Sequence, residues 1–161
     1  MKNLNTLLEL LLKNNIDFVL VGGYAGVVHG ASQVTKDLDI CCVFNSQNLQ
    51  KLRDALVNVH PKHRMTVDHK LSFFDHPKET NGINNIYLET DLGVLDILGE
   101  VVGAGDYNSI KSRAIEISYL GHKCKVLAIE DLIKVKELMT RDKDKSLLVE
   151  LRAILKRISK P

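Results

Sequence analysis

Leucines at positions 4, 7, 8, 11 and 12 recur at the three- and four-residue spacing of one helix face, and Asn14-Asn15 closes the run. The period then changes. "DFVLV" (17–21) is a short apolar run that stops at Gly22-Gly23, as a buried strand entering a tight turn would, and "YAGVVHG" predicts a short helix ending at Gly30. "KDLDICCV" returns to strand. "SQNLQKLRDALVNV" is amphipathic, with Ser46 as the expected N-cap.

"RMTVDHKLSFF" and "NNIYLETDLGVLDILGEV" predict two or three strands, separated by "DHPKETNG", whose Pro, Asn and Gly favour a loop. "AIEISYLGHKCKVL" predicts a hairpin turning at Gly121-His122. From Ile129 onward the pattern is helical, broken or bent around "TRDKDK", with Leu147, Leu148, Leu151, Ile154, Leu155 and Ile158 as an apolar stripe. The order of helix, strand, helix, strand, helix, several strands and then helices predicts an α+β domain with a mixed sheet flanked by helices. One domain over 1–161 is expected, with an α/β core to about residue 126 and C-terminal helices over 127–161.

Composition narrows the class without naming a partner. With 161 residues, 45% of them hydrophobic and 26% charged, and a net charge of +2, the chain matches a globular domain rather than a disordered one. No apolar run reaches the roughly 18 to 20 residues that span a bilayer, and the N-terminus lacks the order of a signal peptide, so no membrane partner and a cytoplasmic location are expected. Cys41, Cys42 and Cys124 have no C-x-x-C spacing and read as free thiols in strands. His60, His63 and His69 lack the spacing of a helical zinc pair and read as loop residues; His29 reads as a helix-end packing residue.

Two acids break the apolar pattern. In a strand Asp37 and Asp39 share a face, with Cα atoms about 6.5 to 7 Å apart, while Leu38 and Ile40 point into the core. Carboxylates so placed raise one another's pKa unless a cation or donors compensate, and a divalent ion such as Mg²⁺ does so while keeping positions for water and phosphate oxygens. Asp96, in "GVLDIL", has a similar apolar setting and completes a three-carboxylate cluster if its strand lies beside the first. Glu89, Asp91 and Glu100 lie at turn-like or strand-end positions, where a solvated charge needs no explanation. Gly22-Gly23, between a strand and a helix, has no Cβ to keep an anion from the backbone N–H groups.

"GGYAGVVHGASQVTKDLDI" followed by "VLDIL" resembles the DNA polymerase β-like nucleotidyltransferase superfamily, particularly its minimal bacterial branch with the MNT antitoxins and AbiEii-type proteins. The resemblance implies a nucleotidyltransferase-like sheet with C-terminal helices. It also implies Gly22 and Gly23 at a triphosphate and Asp37, Asp39 and Asp96 as metal ligands and catalytic residues, with Asp96 also helping to activate the acceptor. "EDLIKVKELMTRDKD" is similar to a segment in which a helix lysine, here Lys136, precedes an R-x-K-D element, here Arg141, Lys143 and Asp144. Lys136 and Lys143 would then reach phosphates, whereas an i, i+3 ion pair is the plain reading of Arg141 and Asp144. Gln33 stands where relatives often carry Arg, and Gly23 replaces a frequent serine.

The implied reaction moves NMP from an NTP to an acceptor hydroxyl on a protein, RNA or small molecule, with two Mg²⁺ ions. Three other readings compete: an antitoxin-like module paired with a toxin protein, a metal-dependent nuclease, and a small-molecule, antibiotic-type nucleotidyltransferase whose acceptor pocket is the region 60–83. Nucleic acid as acceptor has little support, since aromatic residues make up 5% of the chain and there is no tryptophan.

Overall fold

The computed structural model describes residues 3–66 and 68–160. The first leucine stripe forms α1 (Leu4–Lys13), which buries Leu7, Leu8, Leu11 and Leu12; Asn3 caps its start by accepting from the Thr6 N–H at 3.0 Å. Next come β1 (Val19–Val21), α2 (Gly22–Val28), β2 (Asp37–Cys41) and α3 (Ser46–Ala55). The cap of α3 is Asn45 rather than Ser46: its side chain accepts from the Asn48 N–H at 2.8 Å. Both residues favour that position, and the pattern alone does not choose between them.

The middle differs most from expectation. "RMTVDHKLSFF" supplies no full strand: β3 is the pair Lys62–His63, linked to Ser72 by one isolated bridge, and Val67 lies outside the described residues. The strands β4 (Asn85–Thr90) and β5 (Gly93–Leu98) follow as a hairpin. A small ribbon of β6 (Glu100–Val101) and β7 (Gly105–Asp106) leads into α4 (Tyr107–Arg113), a helix its short pattern does not announce. The hairpin of β8 (Ile115–Tyr119) and β9 (His122–Val126) turns at Leu120-Gly121, one residue earlier than expected. Both turn residues have positive φ, 52° and 79°, as a two-residue turn matched to strand twist requires.

The C-terminal helical stretch is two helices, α5 (Ile129–Glu137) and α6 (Asp142–Ile158), broken over 138–141 where "TRDKDK" begins, and the apolar stripe lies on α6. Among the described residues the main sheet has seven strands in the order β3-β4-β5-β2-β1-β9-β8. It is mixed: β2 runs parallel to β5 and antiparallel to β1, which is parallel to β9. The α+β class is therefore as expected. Leu20, Leu38, Ile40, Leu95 and Ile97 fill the centre of the core, and α1 packs across β2, β5 and β9. Cys41, Cys42 and Cys124 are free and buried, as small apolar residues would be. No described helix is long and apolar enough to cross a membrane.

Candidate functional site

Alternation along β2 sends Leu38 and Ile40 into the core and leaves Asp37 and Asp39 half-buried on the opposite face. The parallel ladder to β5 sets Asp39 directly beside Asp96, and Asp37 beside Val94. The next strand sets Tyr87 of β4 beside Asp96, so one face of the sheet carries the row Asp39, Asp96, Tyr87.

Gly22 begins α2 with φ +71°, a conformation L side chains rarely adopt. A Cβ there would lie 2.8 Å from Cγ of Asp39, so the glycine is what allows the β1–α2 corner to approach that carboxylate. Gly23 has ordinary φ and lines the pocket in front of the acids, where a Cβ would press on Thr35 Oγ1 at 3.3 Å. The two glycines therefore do different things: Gly22 makes room for Asp39, while Gly23 is the one facing the cavity.

That cavity, about 540 Å³, has an acidic floor of Asp37, Asp39 and Asp96 on the sheet. Its basic wall carries Lys36 from the α2–β2 connection, Lys136 from α5, Arg141 from the break between the last two helices and Lys143 from α6. The wall is tied down: Gln33 donates to the Lys143 carbonyl at 3.0 Å, and the Ser32 N–H and hydroxyl donate to Glu150 at 2.8 and 2.9 Å. Gln33 thus holds the loop to α6 at the position where the family this chain resembles often carries Arg.

Lys136 is buried, and its Nζ donates to Asp144 Oδ1 at 3.0 Å; Arg141 Nε donates to the other oxygen at 2.7 Å. The expected Arg141–Asp144 pair is present, with Lys136 as a third member. Burial opposes the charge on Asp144, but the hydrogen bonds from Arg141 and Lys136 outweigh it and hold the carboxyl below its ordinary range. Because the chain breaks between α5 and α6, Lys136 and Lys143 do not share one helix face; they meet across the break.

Arg64 went unnoticed in the sequence. Its Nη2 lies 2.8 Å from both oxygens of Asp96, and its guanidinium sits 5.2 Å from the centre of the Tyr87 ring. Its N–H donates to the Tyr87 carbonyl at 3.0 Å. The residue follows a two-residue strand inside a segment of turns, and its partner lies 32 positions away, so no local pattern marks it.

The acids sit under electrostatic pressure. Burial, then the neighbouring Asp96 and Asp37, push Asp39 up to about 7, with Lys136 pulling the other way. Asp96 is raised as well, burial prevailing over the pull of Arg64. A buried carboxylate beside two others, with room in front of it, is a donor set suited to a hard divalent cation. Asp37 and Asp39 fit that description. The three acids share the cavity, yet among the described residues no group of three or more His, Cys, Asp or Glu side chains is placed to hold one metal ion.

Three of the histidines noted in the sequence have partners away from the acids of the cavity. His29 caps α2, with Nε2 2.7 Å from the Leu127 carbonyl. His60 pairs with Asp91, and His63 reaches the His76 carbonyl.

No protein-family model and no curated protein matches this chain. Solved structures do. The crystal structure of the lincosamide antibiotic adenylyltransferase LnuA with lincomycin bound aligns over 94% of this chain and 95% of its own, with TM-score 0.59 and 20% identity. An antigenic nucleotidyltransferase-like protein from Paracoccidioides brasiliensis aligns over 93% of this chain and 72% of its own, with TM-score 0.55 and 16% identity. The solution structure of the antibiotic-resistance factor ANT(2'')-Ia aligns over 96% and 94%, with TM-score 0.51 and 12% identity. At such identities the likeness is one of fold, and the chain carries the nucleotidyltransferase fold.

Proposed function

We propose that the protein is a metal-dependent nucleotidyltransferase that transfers NMP from an NTP to an acceptor hydroxyl and releases pyrophosphate. The observation that carries this reading is the two-sided cavity, with Asp37 and Asp39 on its floor and Lys36, Lys136, Arg141 and Lys143 on its wall. A polyphosphate with a bound cation is the ligand that satisfies both sides. When bound, Mg²⁺ would supply the charge that neutralises the reacting phosphates and the leaving group. Asp37 and Asp39 would hold it. Lys36, Arg141 and Lys143 would bind phosphate oxygens, and Asp144 fixes the Lys136 ammonium at the cavity wall. Asp96 would orient the acceptor.

A small molecule is the acceptor we favour. Beyond Arg64 and Tyr87 lies a second groove of about 300 Å³, lined by His63, Met65, Thr66, Pro77, Ile83 and Tyr87, and much of it comes from the region 60–83. Support also comes from the nearly equal length of the lincosamide adenylyltransferase, an enzyme named for a small-molecule acceptor. A purely partner-binding, antitoxin-like role has less behind it. The exposed apolar residues of α6, Val149 and Ile158, are two and a half turns apart and so lie on opposite sides of the helix.

Incubating the protein with each α-labelled NTP, Mg²⁺ and a fractionated cell lysate tests the reading, with Asp37→Asn/Asp39→Asn as control. Label should enter the small-molecule fraction only with the unmutated protein. Label in protein or RNA would keep the transferase and replace the acceptor; no label in any fraction would overturn the transferase.

A further inference from the structure

A divalent ion bound to Asp96 would need one of its carboxylate oxygens at about 2.0 to 2.1 Å. Both are already engaged by one guanidinium: Arg64 Nη2 is 2.8 Å from each, and Nε is 3.3 Å from Oδ1. Nη2 is thus shared between the two oxygens while Nε reaches one of them, so the carboxylate is held by charge-assisted hydrogen bonds at both of its atoms. Nor does Arg64 depend on Asp96 alone for its place. Its N–H is bonded to the Tyr87 carbonyl, its guanidinium lies over the Tyr87 ring, and Tyr87 is the cross-strand neighbour of Asp96. Withdrawing it would cost the ion pair with Asp96 and a cation–π contact together.

The remaining acids, Asp37 and Asp39, are two, and among the described residues no group of three metal-binding side chains is assembled. One guanidinium and one divalent ion together neutralise three carboxylates.

We infer that Arg64 is a built-in cation standing where a second metal ion would bind, so that the protein takes up a single divalent ion, on Asp37 and Asp39. This rests on the transferase reading for the identity of the first ion's ligands, and it revises the expectation of two ions. Arg64 acts here as a positioning residue: it holds Asp96 in one orientation and keeps metal from it.

Electron paramagnetic resonance of Mn²⁺ distinguishes the cases, because two ions about 3.5 to 4 Å apart give a spin-coupled spectrum and a lone ion does not. The protein is saturated with Mn²⁺ and an ATP analogue carrying a methylene bridge between its α- and β-phosphorus atoms, and bound ions per chain are counted in parallel. The unmutated protein should show one uncoupled ion. Arg64→Ala should show two coupled ions, and Arg64→Lys, which keeps a cation, should remain at one. A coupled pair in the unmutated protein overturns the inference and leaves the transferase reading intact. A single ion in Arg64→Ala also overturns it, since something other than Arg64 would then limit the count. Absence of bound Mn²⁺ from the unmutated protein overturns both this inference and the assignment of Asp37 and Asp39. If Arg64→Ala does not fold, Arg64→Gln, which keeps the stem and loses the charge, takes its place with the same expectation.

Discussion

Asp39 is the residue on which the site's cost to folding concentrates. Its carboxyl titrates near 3.8 in an unfolded chain and near 7 when folded, so the folded form binds more protons between those values. By linkage, stability must then fall as pH rises from about 4 to 7, and the penalty is complete above 7. At about 1.4 kcal/mol per unit, the penalty is a few kcal/mol. Without divalent ions, Asp39→Asn should be more stable than the unmutated protein at pH 8 by that order, and its unfolding free energy should lose this slope between pH 4 and 7. Urea unfolding across that range checks it; parallel curves for the two proteins would contradict the assignment. Both acids of the pair were legible in the sequence because carboxylates alternating with core residues violate the apolar pattern of a strand. Arg64 was not, because an arginine among loop residues violates nothing until the fold brings it to Asp96.

At the scale of elements, the break between α5 and α6 matters more than either helix. It lets Lys136, near the end of α5, and Arg141, just before α6, converge on Asp144, which is 1% exposed. A buried pair that loses one partner leaves an uncompensated charge, typically a cost of about 3 to 5 kcal/mol, whereas an apolar replacement of similar shape can be nearly neutral. Asp144→Ala should therefore destabilise by several kcal/mol, since it strands the Lys136 ammonium. Adding Lys136→Met to it should recover part of that loss, and a double-mutant cycle by chemical denaturation measures the coupling. The helical stripes and the strands β1, β2, β5 and β9 were readable because each has a clear period of 3.6 or 2, or a short apolar run. The segment 64–83 was not. Phe73 within it is fully buried and held by long-range contacts including Arg53 Nε to the Phe73 carbonyl at 2.6 Å, and a loop so anchored imitates a strand's composition. The same limit hides α4, where seven residues are too few to display a helical period.

At the scale of the whole molecule, the cavity belongs to no single segment. Its floor is β2 and β5, its corner Gly23 at the start of α2, and its basic wall comes largely from the C-terminal helices, which dock through Leu132 and Leu147 against the bare backbone of Gly26. A Cβ at Gly26 would come within 3.1 Å of Leu147 Cδ1, so this packing brings α2 and the basic wall close together. A ligand touching both floor and wall binds only the folded chain, and its binding energy then adds to the stability of the entire domain. With NTP and Mg²⁺ at about 100 times the dissociation constant, the gain is about 2.7 kcal/mol. For a domain of this size that corresponds to a rise in Tm of roughly 5 to 10 °C. Asp37→Asn, which removes charge from the floor, and Lys143→Ala, which removes it from the wall, should each reduce the shift, although the two residues come from distant parts of the chain. Thermal unfolding with and without NTP and Mg²⁺ measures it. If only the floor variant loses the shift, the bound group does not reach the C-terminal helices, and Lys143 belongs to the solvent rather than to the site.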